Sequence, residues 1–137
     1  MEALKKDACP MQALSPSIMV DNMAEALSFY EDMLGFEVAL CIPDRESADW
    51  AMLRNGSVSI MCQSRRSLEG DIPVLRGKLT GGTAAFYCQV QNIDRLYDHL
   101  LGRARILKTI EQNMYGSTEF TMQDPFGYIF TFAEESL

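Results

Sequence analysis

Few side chains in this sequence are equipped to make or break bonds, and their spacing narrows the chemistry further. There is one histidine, His99, and there are four cysteines, Cys9, Cys41, Cys62 and Cys88. No two cysteines stand at C-x-x-C spacing and none has a histidine nearby, so a zinc site has no ligand set to draw on. The cysteines read as small apolar side chains in a reducing compartment. His99 falls in the middle of a helical pattern, where it reads as a surface or partly covered residue. Around one helical histidine no Ser-His-Asp or Cys-His arrangement can be assembled. Glu119, sharing a strand face with Thr121 and Gln123, is the best acid/base candidate. It lacks a second carboxylate, so the other reading is a satisfied strand residue. Tyr115 is either a binding phenol or a turn anchor. What is left is chiefly the chemistry of recognition rather than of catalysis.

The formal charge is −7 and the pI about 4.6. The only basic doublets are Lys5-Lys6 and Arg65-Arg66. Nucleic-acid binders present a basic stripe, and none is visible here. The acidic excess suits a cationic ligand and serves solubility equally well. The 137 residues, 47% hydrophobic and 23% charged, fit one ordinary globular domain with a real core. No apolar run approaches the roughly 20 residues needed to span a bilayer. The first residues, Met1 to Asp7, lack the apolar stretch of a secretory signal, which makes the cytoplasm the expected location.

The elements that must position these residues come as a half-repeat. Val20-Asp21-Asn22-Met23 opens one amphipathic segment and Val90-Gln91-Asn92-Ile93 opens another; Gly35 and Gly102 close them. Met23, Ala26, Leu27, Tyr30 and Leu34 make one apolar helical face, and Ile93, Leu96, Tyr97, Leu100 and Leu101 make the other. Asn22, with Glu25 three residues on, predicts a capping box. Asn92 is the expected cap of the second helix. Around these helices lie apolar runs that read as strands: 14–20, 36–42, 50–53 and 57–62, then 83–90, 105–110, 117–122 and 128–132. Asn55-Gly56 signals a hairpin, and Asp124-Pro125-Phe126-Gly127 a turn. Residues 1–12 read as a loose arm. Residues 64–81, with charges, Pro73 and several glycines, read as a linker. The result is a single domain over 1–137, with a βαβββ module at 13–63 and a second at 82–135. A domain made of two copies has a seam, and seams between curved sheets are where small-molecule pockets form.

These residues resemble the glyoxalase / bleomycin-resistance / extradiol-dioxygenase (vicinal oxygen chelate) superfamily. The matches are Phe29-Tyr30 with Leu34-Gly35-Phe36, then Trp50 to Met61 around Asn55-Gly56, then Tyr115-Gly116, Glu119-Phe120 and Asp124-Pro125-Phe126-Gly127. The resemblance spans about residues 14–135. It implies an α+β fold in which two βαβββ modules form a curved, half-barrel-like mixed sheet with helices on the outside. It also implies a two-fold homodimer, with modules pairing within or across chains. Enzymes of this superfamily typically hold one divalent metal with four strand side chains. Here those positions fall on Ser15, Met61 (or its neighbour Cys62), Ala85 and Thr131. None is a competent ligand for Fe, Mn, Zn or Ni, so no metal and no cofactor are expected.

Strand alternation then defines a pocket face. Ser15, Ser17 and Met19 share it with Ala85, Tyr87 and Gln89, and with Ile129, Thr131 and Ala133. The opposite face, with Ile18, Val20, Phe86, Cys88, Phe130 and Phe132, is uniformly apolar. Ser57, Ser59, Met61 and Gln63 continue the pocket, and Trp50 and Met52 lie on the adjacent strand. Trp50 is either a stacking residue for a planar ligand or a core or dimer contact. The candidate ligand-binding set is Ser15, Trp50, Met61, Ala85, Tyr87, Gln89, Tyr115, Glu119 and Thr131. The expected function is binding, without a metal, of a small planar or cationic compound that the protein sequesters. The alternatives are a lyase, isomerase or dioxygenase with unusual metal ligands or with chemistry resting on Glu119 and Tyr87, and a structural domain with a vestigial pocket.

Overall fold

Asn22 starts the first helix by accepting the backbone N–H of Glu25 on its side-chain oxygen, 2.9 Å away, which satisfies one of the donors a helix leaves free at its N-terminus. In the computed structural model, which describes residues 2–136, this helix is α1 (Met23–Asp32). Met1 and Leu137, the ends of the expected domain, lie outside the described residues. Around α1 stand β1 (Ser17–Val20), β2 (Glu37–Ile42), β3 (Trp50–Asn55) and β4 (Val58–Ser64). The second module repeats the order with β5 (Ala85–Gln89), α3 (Ile93–Leu100), β6 (Arg105–Gln112), β7 (Ser117–Gln123) and β8 (Ile129–Glu135). The segment between the modules holds a further helix, α2 (Arg65–Asp71), and a short 3-10 turn (Pro73–Leu75).

The duplication is complete at the level of topology. One sheet has the order β1-β4-β3-β2 and the other β5-β8-β7-β6. In each, the first strand runs parallel to the last and the remaining pairs are antiparallel. The sheets are mixed and open, and each carries its helix on its apolar side.

Three local readings of the sequence are corrected. Strand β1 begins at Ser17 rather than at residue 14, and residues 2–16 before it lie outside regular structure. The β3–β4 hairpin turns on Gly56-Ser57, since Asn55 pairs with Val58; Gly56 has φ +59°, as the first central residue of a type II′ turn requires. Asn55 instead donates its side-chain amide to the carbonyl of Leu34, 3.0 Å away. At α3, Asn92 adopts the left-handed region (φ 58°) and makes no side-chain cap. The cap comes from β8, where the two Glu134 oxygens accept the backbone N–H groups of Asn92 and Ile93, each at 3.0 Å. A carboxylate on a helix N-terminus also opposes the helix dipole favourably.

One apolar cluster runs through both modules, with Val20, Leu27, Tyr30 and Leu53 from the first and Phe120, Met122, Phe130 and Phe132 from the second. On the face read as apolar, Ile18, Val20, Phe130 and Phe132 are buried, with Phe86 and Cys88 packed against the same cluster, but Met19 and Ala133, read as pocket-facing, are buried as well. The modules join on this apolar side. The Tyr30 ring meets Phe130 at 6.1 Å, and the Tyr30 hydroxyl donates to Asp124 Oδ2 at 2.6 Å. Asp124 Oδ1 accepts the backbone N–H groups of Phe126 at 2.9 Å and Tyr128 at 2.8 Å. The Tyr128 hydroxyl crosses back to the Met19 carbonyl at 2.8 Å. Asp124 is buried, and burial, partly offset by these hydrogen bonds, holds its carboxyl above the ordinary range. Burial likewise pushes the nearby Cys62 thiol up to about 12, which leaves it a neutral, unreactive packing group.

Candidate functional site

The junction inside one chain is lined by aromatic and apolar side chains, so the other faces of the two sheets point away from it. In the first module, cross-strand partners place Ser17 and Met19 (β1), Met61 and Gln63 (β4), Trp50 and Met52 (β3), and Leu40 and Ile42 (β2) on one face. Its β2 side is an apolar surface left open, with Leu40 53% and Ile42 52% exposed; Trp50 and Met61 are half-buried, and Met19 on β1 is buried. Ser15 precedes β1 and shares a hydrogen bond with Ser59 Oγ, which attaches it to the same face.

Helix α2 closes one end of this face. The Gln63 side chain is buried, and its Nε2 donates to Ser67 Oγ and to Asp71 Oδ2, each at 2.8 Å. Ser64 caps the helix by accepting the Ser67 N–H. The segment expected to be a bare linker therefore contributes a wall.

The second module presents the opposite character. Tyr87 on β5 is 60% exposed and donates to Glu119 Oε2 at 3.1 Å. Asn113 Nδ2 and Ser117 Oγ reach the same oxygen, each at 3.4 Å. Lost hydration and the Glu119 carboxylate hold the Tyr87 phenol above its ordinary value, so it stays a neutral donor. Thr131 and Thr121 pair their hydroxyls at 2.9 Å, and Gln89 donates to Glu135 at 3.3 Å. Directly across from Glu119 stands Glu111 on β6, a like-charge pair that costs rather than stabilises.

The candidate residues thus divide in two. Ser15, Trp50 and Met61 lie on the first face; Ala85, Tyr87, Gln89, Glu119 and Thr131 lie on the second. Among the described residues no hydrogen bond joins the two sets. Tyr115 belongs to neither. It is 87% exposed at the β6–β7 turn, and that turn is organised by Asn113, whose Oδ1 accepts the N–H groups of Tyr115 and Ser117. The phenol anchors nothing. Glu111, Leu40 and Ile42 escape the sequence reading. Glu111 lies beyond two irregularities of register in β6, and the near-uniformly apolar β2 carries no alternation that fixes its facing.

Within one chain the module junction also opens a cleft of about 500 Å³, lined by Leu34, Phe36, Val58, Cys88, Val90 and Phe132 among others. Of the candidate residues only Gln89 borders it. His99, on α3, bonds the Asp32 carbonyl at the end of α1 at 2.7 Å and so ties the modules together.

The residues to which the resemblance assigns a metal in superfamily enzymes, Ser15, Met61, Ala85 and Thr131, do not suit one. Ser15 and Thr131 offer neutral hydroxyls already paired with Ser59 and Thr121, Met61 a thioether and Ala85 a methyl group. Divalent first-row ions want imidazole, carboxylate or thiolate. Cys62, one position on, faces the apolar core with its thiol protonated.

Comparison with known proteins agrees with this architecture. A bleomycin resistance protein from Geobacillus stearothermophilus is 26% identical over 129 residues, covering 88% of this chain and 94% of that one. A bleomycin resistance protein from Staphylococcus aureus matches to the same extent. Among solved structures, a protein of unknown function from Agrobacterium tumefaciens superposes with a TM-score of 0.76 at 19% identity, covering 97% of this chain and 100% of that one. TioX from Micromonospora sp. ML1 superposes with a TM-score of 0.74 at 16% identity, covering 92% and 100%. The model of the Glyoxalase/Bleomycin resistance protein/Dioxygenase superfamily matches residues 12–132, nearly the whole duplicated βαβββ layout, and the chain belongs to that superfamily.

Proposed function

We propose that the protein binds and sequesters a small planar cation, without a metal, in a pocket completed by a second copy of the chain. The observation behind this reading is the contrast between its two open faces. One offers exposed Leu40 and Ile42 beside Trp50, Met52 and Met61; the other offers Tyr87 with Glu111 and Glu119. Neither face alone buries a ligand, and within one chain the shared core turns both outward. A two-fold dimer that sets the first face of one protomer against the second face of its partner covers both exposed surfaces. The enclosed ligand then meets aromatic and thioether groups on one side and acceptors on the other. Those groups favour a flat, positively charged molecule. The bleomycin resistance proteins among its relatives point to the same class of cargo. Sequestration needs no catalytic group, so a protein with Ser15, Met61, Ala85 and Thr131 at these positions loses nothing by lacking imidazole and carboxylate there. Of the described residues, no helix is long and apolar enough to cross a membrane. We place the protein in the cytoplasm, where Cys41, Cys62 and Cys88 stay reduced.

Trp50 is the only tryptophan, so its fluorescence reads the pocket directly. Titration with bleomycin and with the planar cation ethidium is expected to give saturable quenching that chelator leaves unchanged. Sedimentation at micromolar concentration is expected to give a dimer. A monomer, or quenching by a planar anion but by neither cation, would falsify the reading.

A further inference from the structure

We infer a second site, for a small oxyanion, in the cleft where the end of sheet two meets α1. This inference goes beyond the proposed function and does not depend on it. The cleft, of about 490 Å³, is lined by Arg103, Arg105, Thr80, Gln123 and Asp21, with Phe29 and the Asp124-to-Gly127 turn forming its floor. It lies at the far end of β7 from Glu119, four residues along the strand, or about 13 Å from the Tyr87–Glu119 pair.

The local charge runs against that of the molecule. The chain carries −7 overall, yet two guanidiniums flank this opening on either side of Ala104. Among the described residues the four ion pairs involve Arg45, Arg65 and Arg66 only, so neither Arg103 nor Arg105 has a carboxylate partner within 4.0 Å. The acids nearby are already engaged. Asp21 accepts Arg65 Nε at 2.6 Å. Asp124 turns both oxygens inward, to the Tyr30 hydroxyl and to the N–H groups of Phe126 and Tyr128. Arg103 gives one N–H to His99 Nδ1 at 3.2 Å, which fixes the guanidinium and leaves its other donors free.

Arg103, Arg105 and Thr80 thus line one opening, beside Asp21, whose carboxylate Arg65 already engages. Guanidinium groups bind phosphate and carboxylate through paired N–H···O contacts, each stronger than a neutral hydrogen bond. The chemical class is a compact oxyanion, either phosphate or carboxylate. Because β7 and the turn after it link this cleft to the clasp between the modules, an anion held here also braces the junction.

Isothermal titration at constant ionic strength, with sodium phosphate in one arm and sodium succinate in the other, tests the site on the full chain. Saturable binding of either anion is expected, and the arm that saturates identifies the oxyanion. Arg103→Gln and Arg105→Gln, both at exposed positions, are each expected to weaken it by roughly tenfold, with Arg→Lys at either position restoring part of the loss. Arg95→Gln on α3 removes the same charge outside the cleft and is expected to leave affinity unchanged. Absence of saturable binding in both arms overturns the proposal. So does an Arg103→Gln, Arg105→Gln double variant that binds as the parent does, or an equal loss in Arg95→Gln.

Discussion

Replacing Asp124 tests whether one buried carboxyl holds the two modules together. Its oxygens take three donors: the Tyr30 hydroxyl at 2.6 Å and the N–H groups of Phe126 and Tyr128 at 2.9 and 2.8 Å. Asp124→Ala leaves all three buried without an acceptor. At about 1–3 kcal/mol for each stranded donor, and allowing for a water that satisfies one of the three, a loss of about 2–6 kcal/mol is expected. Asp124→Asn keeps Oδ1 for the two backbone groups and presents an N–H₂ to Tyr30, whose hydroxyl can turn and accept. It should cost only about 1 kcal/mol. Tyr30→Phe removes a single hydrogen bond to a carboxylate, about 1.5–3 kcal/mol.

The pH dependence supplies a second readout. Burial raises the Asp124 pKa in the folded chain above its unfolded value. Across the interval between those two values the native state binds the proton and the unfolded state does not, so stability falls as pH rises through it. The burial cost is fully present above the raised folded value and gone below the ordinary value of about 3.9. The parent should therefore gain on Asp124→Asn as pH drops from 7 toward about 4. Urea unfolding followed by Trp50 fluorescence, repeated across that range, measures both effects. Equal losses in Asp124→Ala and Asp124→Asn, or a parent-minus-Asn difference that does not change with pH, would refute the argument.

Three further outcomes are expected. Gly81→Ala should destabilise by about 2 kcal/mol or more, because its new Cβ would sit 2.6 Å from the Gly127 carbonyl carbon with φ at +84°; at Gly82 the same change meets open space and should cost about 1 kcal/mol, a contrast that thermal melts resolve. Phe130→Ala should cost roughly 3–5 kcal/mol in urea, while Trp50→Ala leaves unfolding cooperative and weakens ethidium binding about thirtyfold; reversed behaviour would mean the two faces are misassigned. Glu134→Gln should lower stability by about 1 kcal/mol, visible as faster amide exchange at Asn92 and Ile93, and unchanged exchange there would remove Glu134 from its capping role.

The two-residue period is visible in β5, where exposed and half-buried positions alternate along Ala85–Gln89, but not in β1, where Ile18, Met19 and Val20 are all buried. The same rule loses its phase in β6. Register shifts after Ile106 and after Lys108 move Glu111 opposite Glu119, and no local pattern announces an irregular step. Helix α2 was missed because a helix held by polar groups shows no apolar stripe: Leu68 is its only buried residue, and Gln63, Ser67 and Asp71 secure it. The cap on α3 was assigned to Asn92 by local rules, whereas the acceptor that fills the role lies 42 residues away on Glu134. The half-repeat announced a seam, but a facing pattern says only which side is apolar. That the two modules share one core on that side, leaving the other face of each sheet open, is a property of three-dimensional packing.

The Glu111–Glu119 opposition has a consequence for how this protein trades affinity against robustness. Two carboxylates placed across a strand pair are a standing debit on the empty chain, a few tenths of a kcal/mol at an exposed site. Were the proposed cation held between them, the sign of that contribution would reverse, leaving the free protein slightly frustrated and the loaded one not. Neutralising Glu111 would then make the empty molecule sturdier and the loaded one weaker. Selection for sturdiness alone would erode the acidic face, and its persistence would mark a chain selected to hold something.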